Sequence, residues 1–396
     1  MTDEKETLRI ASIVRNELDL SSDPKEEEVK SLIAQIVYRE TDNEYISLKD
    51  RDILVKNIFD SIRKLDILQE LIEDEEISEI MVNGYDRIFI EKRGNITEWP
   101  KKFASKEKLE DVIQQVVSSC NRVVNESEPI VDARLSNGER VNIVLSPPAL
   151  SGPIMTIRRC PKEVFTMAKL IENKSITTEA AAFLKDAVSA GYNCFVSGGT
   201  SSGKTTLLNV LSGFIPQGER VITIEDSAEL QIKSVDNLVR LETRNSNSSG
   251  CEAITIKDLI RTALRMRPDW VIVGEVRGAE VADMLQAMNT GHFSMSTGHA
   301  NSSEDMITRL EAMYLQNAEI PLESIRRQIA SGIDIMIHLE RNARGLRRVT
   351  EICEVTYEQE KSIVLRKLFD TRGEGSEQIL IKVGELKNTY KMDKRK

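Results

Sequence analysis

Apolar residues in the first part of the chain recur at helical spacing. Ile10, Ile13 and Val14, then Val29, Ile33, Ile36 and Val37, each mark one face of an amphipathic helix. Ser21-Ser22-Asp23-Pro24 supplies the break and cap between the two helices, whose apolar faces dock on a partner or on the chain's own body. Leu54, Ile58, Ile62, Leu65, Leu68 and Ile72 predict one more helical stripe, about five turns at 3.6 residues per turn. At residue 77 the period changes. Ile77 to Val82, a turn at Asn83-Gly84, Arg87 to Glu91 and a turn at Arg93-Gly94-Asn95 read as consecutive short strands. A helix follows, with Leu109, Val112, Ile113, Val116 and Val117 on one face. Arg140 to Leu145 and Ile154 to Arg158 are strands around the breakers Pro147-Pro148 and Ser151-Gly152-Pro153. Further along, Tyr192 to Ser197, Val221 to Ile224 and Trp270 to Val273 are short apolar strands, and Leu207, Leu208 and Leu211 set a helix over Lys204 to Leu211. Ser362 to Phe369 and Gln378 to Val383 alternate like strands.

Composition narrows the class. At 396 residues the chain suits two domains. Hydrophobic residues at 40% and charged residues at 30% describe a globular protein, and a net charge of -10 disfavours a sequence-independent grip on phosphate backbone, so direct nucleic-acid binding is not expected. Residues 1–50 hold 13 Asp and Glu against 7 Lys and Arg, an acidic preface centred on Glu26-Glu27-Glu28. The five cysteines are odd in number and scattered, which predicts neither a disulfide framework nor a metal site and fits a reducing cytoplasm. No apolar leader follows the acidic start and no run of 18 apolar residues occurs, so neither export nor a membrane span is predicted. Lys387, Lys391, Lys394, Arg395 and Lys396 form a basic end, either solvated or in contact with anionic lipid.

The chemistry begins at Gly198, Gly199, Thr200, Ser201, Ser202, Gly203, Lys204, Thr205 and Thr206. A glycine-rich loop between a strand and a helix lets successive N–H groups and the helix N-terminus point at a phosphate, and Lys204 adds a mobile positive charge. Thr205 would hold Mg²⁺. Asp269 to Glu275 is an apolar strand ending in a carboxylate, as a Walker B strand should be, and Glu275 is the candidate to order the Mg²⁺ shell and the attacking water of ATP hydrolysis. Glycine at 274, where many P-loop enzymes carry a metal-binding aspartate, leaves a gap in that shell. Glu225 and Asp226, with Glu229 behind them, fill the gap or are caps and surface acids after a strand. His292 and His299, two of only three histidines, flank one polar strand. They act at the site or are hydrogen-bonded strand-end histidines; with no cysteine or carboxylate between them at ligand spacing, metal binding is not predicted. The order of these segments predicts an α/β fold: a RecA-like P-loop NTPase domain preceded by a smaller mixed α/β N-terminal domain and a helical N-terminal extension. The corresponding division is 1–74 extension, 75–160 N-terminal domain, 161–178 linker, 179–357 ATPase domain and 358–396 C-terminal tail.

These four segments resemble the Walker A, Asp box, Walker B and His box of the type II/type IV secretion-system ATPases over about residues 75–355. Thr223 to Leu230, Leu264 to Asp269 and Ser296 to Ser302 resemble in particular the CpaF-like ATPases that power Flp/Tad (tight-adherence) pilus assembly. The resemblance implies a homo-hexameric ATPase using ATP and Mg²⁺, which moves inner-membrane platform proteins from the cytoplasmic face of the membrane and associates with it through them. It assigns Lys204 and Thr205 to phosphate and Mg²⁺, Glu275 to the Walker B acid, Glu225 and Asp226 to the Asp box, and His292 and His299 to the His box. It also implies N-domain arginines against the phosphates, for which Arg134, Arg140, Arg158 and Arg159 are the candidates; arginine suits this role by its permanent charge and fixed fork of donors. The chain departs from the pattern after His292, where Phe293 stands in place of an Asp-Gly pair, and it lacks the four-cysteine zinc module of many type II and type IV pilus extension ATPases. The alternatives are a type IV secretion ATPase that moves effector or DNA substrates, and a nucleotide-binding scaffold with little turnover.

Overall fold

The computed structural model describes residues 4–18, 25–42, 46–92, 94–120, 122–135, 138–159, 165–244, 252–316, 319–342, 345–360, 362–373 and 378–394. The chain divides into two compact units, Met1–Lys162 and Glu163–Lys396.

In the first unit, α1 (Glu4–Glu17), α2 (Glu26–Glu40) and α3 (Leu48–Arg63) close on one another. Ile10, Val14, Val29, Ile33, Leu54 and Ile58 form their shared core, so the two helices of the acidic preface pack on each other and on α3 of the same chain. The predicted cap at Ser21 to Pro24 lies outside the described residues. Ser47 starts α3 by accepting from the Asp50 amide, satisfying one orphan donor of the first turn. The single stripe expected from Leu54 to Ile72 is two helices. The backbone turns at Asp66, whose φ of 53° is left-handed, before α4 (Leu68–Glu73) begins. The stripe keeps helical spacing across the break, yet Leu54 and Ile58 belong to the helical core while Leu68 and Leu71 belong to the next one.

That next core lies under a six-stranded antiparallel sheet built from β1 (Ile77–Asn83), β2 (Ile88–Lys92), β3 (Asn95–Trp99), β4 (Ile130–Arg134), β5 (Arg140–Val144) and β6 (Ile154–Arg158), in the order β3-β2-β1-β6-β5-β4. Alternation puts Ile80, Val82, Val141, Ile143, Met155 and Ile157 into a core with Leu109, Val112, Ile113 and Val116 of α5 (Lys106–Ser119). The residues between them turn to the other face.

The second unit opens with α6 (Met167–Glu172) and α7 (Thr178–Ser189), followed by β7 (Cys194–Gly198), α8 (Lys204–Ser212), β8 (Arg220–Glu225), β9 (Asn237–Glu242), α9 (Ile256–Ala263), β10 (Trp270–Val273), α10 (Val281–Asn289) and β11 (Phe293–His299). It continues through α11 (Ser303–Leu315), α12 (Leu322–Gly332), β12 (Ile335–Arg341), β13 (Arg347–Glu358), β14 (Ser362–Arg372), β15 (Ile379–Lys382) and α13 (Tyr390–Lys394). The sheet order is β15-β14-β13-β12-β7-β11-β10-β8-β9. The six strands from β12 to β9 are parallel, and β13, β14 and β15 extend them in antiparallel sense.

Helices cover both faces. Leu184, Leu207, Leu208 and Leu211 pack with Val196 and Ile272 on one side, and Ile260, Leu285, Leu310 and Ile329 with Phe195, Ile222 and Val271 on the other. Burial on both faces is why β10 reads as an unbroken apolar run. Each fully buried side chain of this size stabilises the unit by about 1.5–3 kcal/mol.

Strands β14 and β15, set apart by sequence as a tail, continue this sheet, and α13 straps its base. Tyr192 donates its hydroxyl hydrogen to the Asn388 carbonyl (2.6 Å), the Lys387 and Asn388 amides donate to Glu354, and Lys391 pairs with Asp334 (2.6 Å). Among the described residues no helix is long and apolar enough to cross a membrane.

Candidate active site

Strand β7 lies between β11 and β12, both of which follow it in sequence, so its carboxyl end opens where the chain switches direction in the sheet, a preferred ligand position in open α/β sheets. The loop from Gly198 to Gly203 runs from that end into α8. Gly198 has φ 156° and no space for a side chain: a Cβ there would sit 2.4 Å from the Leu339 carbonyl oxygen. Gly203 has φ 98° and caps α8 from the left-handed region, which favours glycine. Ser201 is held left-handed as well, at φ 56°, and its carbonyl accepts from Arg347 Nε at 2.8 Å. Ser202 Oγ is buried with no hydrogen-bond partner among the described residues. A tight backbone cradle, an unpaired buried hydroxyl and a helix N-terminus fit the phosphates of a nucleotide.

Lys204 is 6% exposed, and its ammonium donates to the carbonyls of Gly198 (3.1 Å) and Gly199 (2.8 Å) and to His299 Nδ1 (3.1 Å). Burial pulls its pKa below the usual lysine value, and Glu275 opposes the shift. His299 ends β11, which lies beside β7, and its Nε2 is 3.0 Å from Glu275 Oε1. That contact has ion-pair distance without hydrogen-bond alignment, so Oε1 remains a buried acceptor without a hydrogen bond. Glu275 Oε2 accepts from Arg277 (3.0 Å), which also pairs with Asp226 (3.3 Å). A line of charge thus runs Lys204, His299, Glu275, Arg277, Asp226. Burial, then Lys204, holds the His299 pKa below its ordinary 6.5, with Glu275 opposing.

The other candidates fall elsewhere. Glu225 is buried at 3% exposure and turns its carboxylate onto the amides of Glu229 and Leu230 (3.1 and 2.9 Å); burial raises its pKa and those amides oppose the rise. It also accounts for Gly274: a Cβ at 274 would lie 3.0 Å from Glu225 Cγ. His292 precedes the first residue of β11, seven residues away from His299 along an extended strand, on the order of 20 Å at 3.3 Å per residue. It bonds Thr290 (3.2 Å) and the Ala287 carbonyl (3.3 Å) at the opposite end of the sheet, so this chain does not bring it to the Lys204 cluster.

In the first unit, Arg134, Arg140 and Arg158 are cross-strand neighbours on β4, β5 and β6 and form a row on the face away from α5. Arg159 does not join them. It is buried against Glu139 (3.1 Å) and donates to the carbonyls of Asp74 and Ile77.

Three residues escaped sequence reasoning. Arg277 is two positions beyond Glu275 and was within reach of the same motif. Arg347 and His338 lie in the β12–β13 hairpin, remote from every motif, and only the strand order places them beside the loop. Among the described residues no group of three or more His, Cys, Asp and Glu is arranged to hold a metal by itself. An Mg²⁺ ion would rest on Thr205, Glu275, phosphate oxygens and water, as is usual for this cation.

A family model described as "Type II/IV secretion system protein" matches residues 62–377. A putative conjugal transfer protein of Mycobacterium tuberculosis is 32% identical over 293 residues, covering 72% of this chain and 83% of its own length. The type IV secretion system protein PtlH of Bordetella pertussis is 32% identical over 310 residues, covering 72% and 91%. Among solved structures, the pilus retraction motor PilT with bound ADP aligns with a TM-score of 0.54 at 19% identity, over 84% of this chain and 86% of its own. The Legionella pneumophila ATPase DotB aligns at 0.53 and 20% identity, over 74% and 80%. The fold is therefore that of these proteins: a mixed α/β N-terminal domain and a RecA-like domain.

Proposed function

We propose, since the chain belongs to the Type II/IV secretion system protein family, that it is an ATP-hydrolysing motor of a secretion or pilus system, working as a homo-hexamer on inner-membrane platform proteins. The observation that carries this reading is the line Lys204–His299–Glu275 at the mouth of the glycine-rich loop. In it, Lys204 and the loop amides bind the β- and γ-phosphates. Glu275 orients the attacking water, and His299 fixes the Glu275 carboxylate and responds to the phosphate that Lys204 holds. Mg²⁺ on Thr205 and Glu275 would neutralise phosphate charge. The row Arg134, Arg140 and Arg158 supplies permanent charge of the kind that stabilises the transferring phosphoryl group. The overall reaction is ATP and water to ADP and phosphate.

Two readings of the system follow from different observations. The segments Thr223 to Leu230, Leu264 to Asp269 and Ser296 to Ser302 favour Flp/Tad pilus assembly of the CpaF-like kind. The names of the relatives, type IV secretion and conjugal transfer, favour an ATPase that moves effector or DNA substrates. Genes for a prepilin and two platform proteins beside this one support the first; their replacement by genes of a conjugation channel supports the second. Phosphate release from Mg-ATP by the purified chain tests the motor itself, and complete absence of turnover with its membrane partners present would leave only the scaffold.

A further inference from the structure

His338 is the histidine that no motif marks, and it sits where the two halves of the Lys204 cluster meet. It is 3% exposed on β12, directly opposite Ser197 of β7 in the parallel register. Ser197 immediately precedes Gly198, and its hydroxyl lies 2.8 Å from His338 Nδ1. The backbone of Asn301, two residues beyond His299, lies within hydrogen-bonding reach of the same ring. Between these two anchors, the Ala300 amide donates to the Gly198 carbonyl at 3.3 Å. One imidazole therefore joins the strand that launches the phosphate loop to the segment that carries His299. Lys204 leaves the first and meets His299 of the second at 3.1 Å.

A histidine that merely fills a core needs its two nitrogens satisfied by any neighbours. Here the ring's hydrogen-bonding partners flank the cluster, and on β12 itself its Nε2 comes no nearer than 4.0 Å to the Glu340 carboxylate. Without the ring, Ser197 keeps only a 3.3 Å bond to the Ile337 carbonyl, and the Asn301 segment loses its tie to β12.

We propose that His338 is a positioning residue: by bonding Ser197 on one side and the Asn301 backbone on the other, it fixes the separation of Lys204 and His299, and through His299 the placement of Glu275. Its catalytic consequence rests on the ATPase reading above; its structural consequence does not. In a constellation where a 1 Å misplacement costs about 10²-fold in rate, loosening one strut is expected to cost about tenfold.

The test uses His338→Asn and His338→Gln in the full chain. The Asn amide reaches the Nδ1 position and keeps a partner for Ser197; the Gln amide reaches the Nε2 position and keeps one for Asn301. Each keeps a single anchor, so each should lower kcat by about tenfold while KM for ATP and the melting temperature stay close to wild type. A core-filling role predicts instead that kcat per folded molecule is unchanged whenever the melting temperature is. Wild-type kcat in both variants overturns the proposal. Imidazole ¹⁵N spectra of the same nucleotide-free preparations give an independent readout, because three histidines yield three assignable rings. The His299 Nδ1 signal should move in whichever variant folds. If the wild-type chain releases no phosphate, the ATPase reading fails, and unshifted His299 signals in both variants would still refute the positioning role.

Discussion

Lys204 Nζ and His299 Nδ1 lie 3.1 Å apart across a sequence separation of 95 residues. An ammonium can only donate, so the ring accepts at Nδ1 and carries its single proton on Nε2, the nitrogen that lies 3.0 Å from Glu275 Oε1. The relationship makes the loop lysine, the second histidine and the acid after β10 one unit in which the imidazole is neutral.

A pH dependence follows. Burial and Lys204 favour neutral His299, so its folded-state pKa is below 6.5, its ordinary value. Above that value the ring is neutral in folded and unfolded chains alike; below it the unfolded chain takes up the proton first, and stability falls as pH drops through the folded pKa. Turnover should be flat down to about pH 6.5 and then decline on an acid limb, because His299⁺ repels Lys204. The kcat profile checks this. A midpoint above the ordinary histidine value contradicts it, and His299→Gln should lack the limb.

Gly274 offers a sharper test of packing against metal chemistry. Gly274→Asp installs the carboxylate found in many P-loop enzymes, yet its Cβ would meet Glu225 Cγ at 3.0 Å. The variant should lose about 1–3 kcal/mol of stability and gain no Mg²⁺ dependence, as overpacking predicts. Urea unfolding beside an Mg²⁺ titration of turnover measures both. Unchanged stability would mean that Glu225 moves freely.

The arginines separate into two kinds. Arg159→Ala removes the 3.1 Å pair with the buried Glu139 carboxylate together with the bonds to the Asp74 and Ile77 carbonyls, and should cost about 3–5 kcal/mol of first-unit stability. Arg134→Ala, Arg140→Ala and Arg158→Ala should instead lower turnover while changing stability by less than about 1 kcal/mol. Thermal melts and phosphate release on the same four proteins distinguish them; three silent row variants would remove the row from the mechanism.

The local signals were strong wherever one stretch of chain carries the whole feature. Gly198 to Thr205 declares a phosphate loop because strand, glycines, lysine and helix are contiguous, and β10 declares itself by four buried apolar residues before Glu275. What stayed hidden depends on strand order. No spacing reveals that β12 pairs with β7, so His338 and Arg347 could not be placed beside the loop. Glu225 shows the converse: it stands in a motif position, yet its side chain serves the backbone of the following loop. Adjacent arginines, 158 and 159, point to opposite faces of one strand end, and only burial tells the ion pair from the row. The long stripe through Leu65 kept helical spacing across a real helix break, because Leu68 serves a second core at the right interval by coincidence.

The strap formed by the last residues lies beyond the matched family region, and its attachment can be measured. Burial raises the Asp334 pKa, with Lys391 the first influence opposing that rise, and Asp334 also accepts the Asn193 amide at 2.7 Å. Lys391→Ala should lower second-unit stability by about 1–3 kcal/mol. A denaturant melt identical to wild type would mean that the strap does not hold the base of β7.

Hydrolysis at the Lys204–Glu275 site is measured most directly as phosphate release from Mg-ATP by the wild-type chain, Lys204→Ala and Glu275→Gln, with nucleotide binding followed in parallel. Turnover is expected for the wild type alone. Lys204→Ala should lose nucleotide affinity as well, while Glu275→Gln should bind nucleotide and fail to hydrolyse it. Wild-type turnover in Glu275→Gln would contradict the assignment of the water-orienting acid, and wild-type turnover in Lys204→Ala would contradict the site.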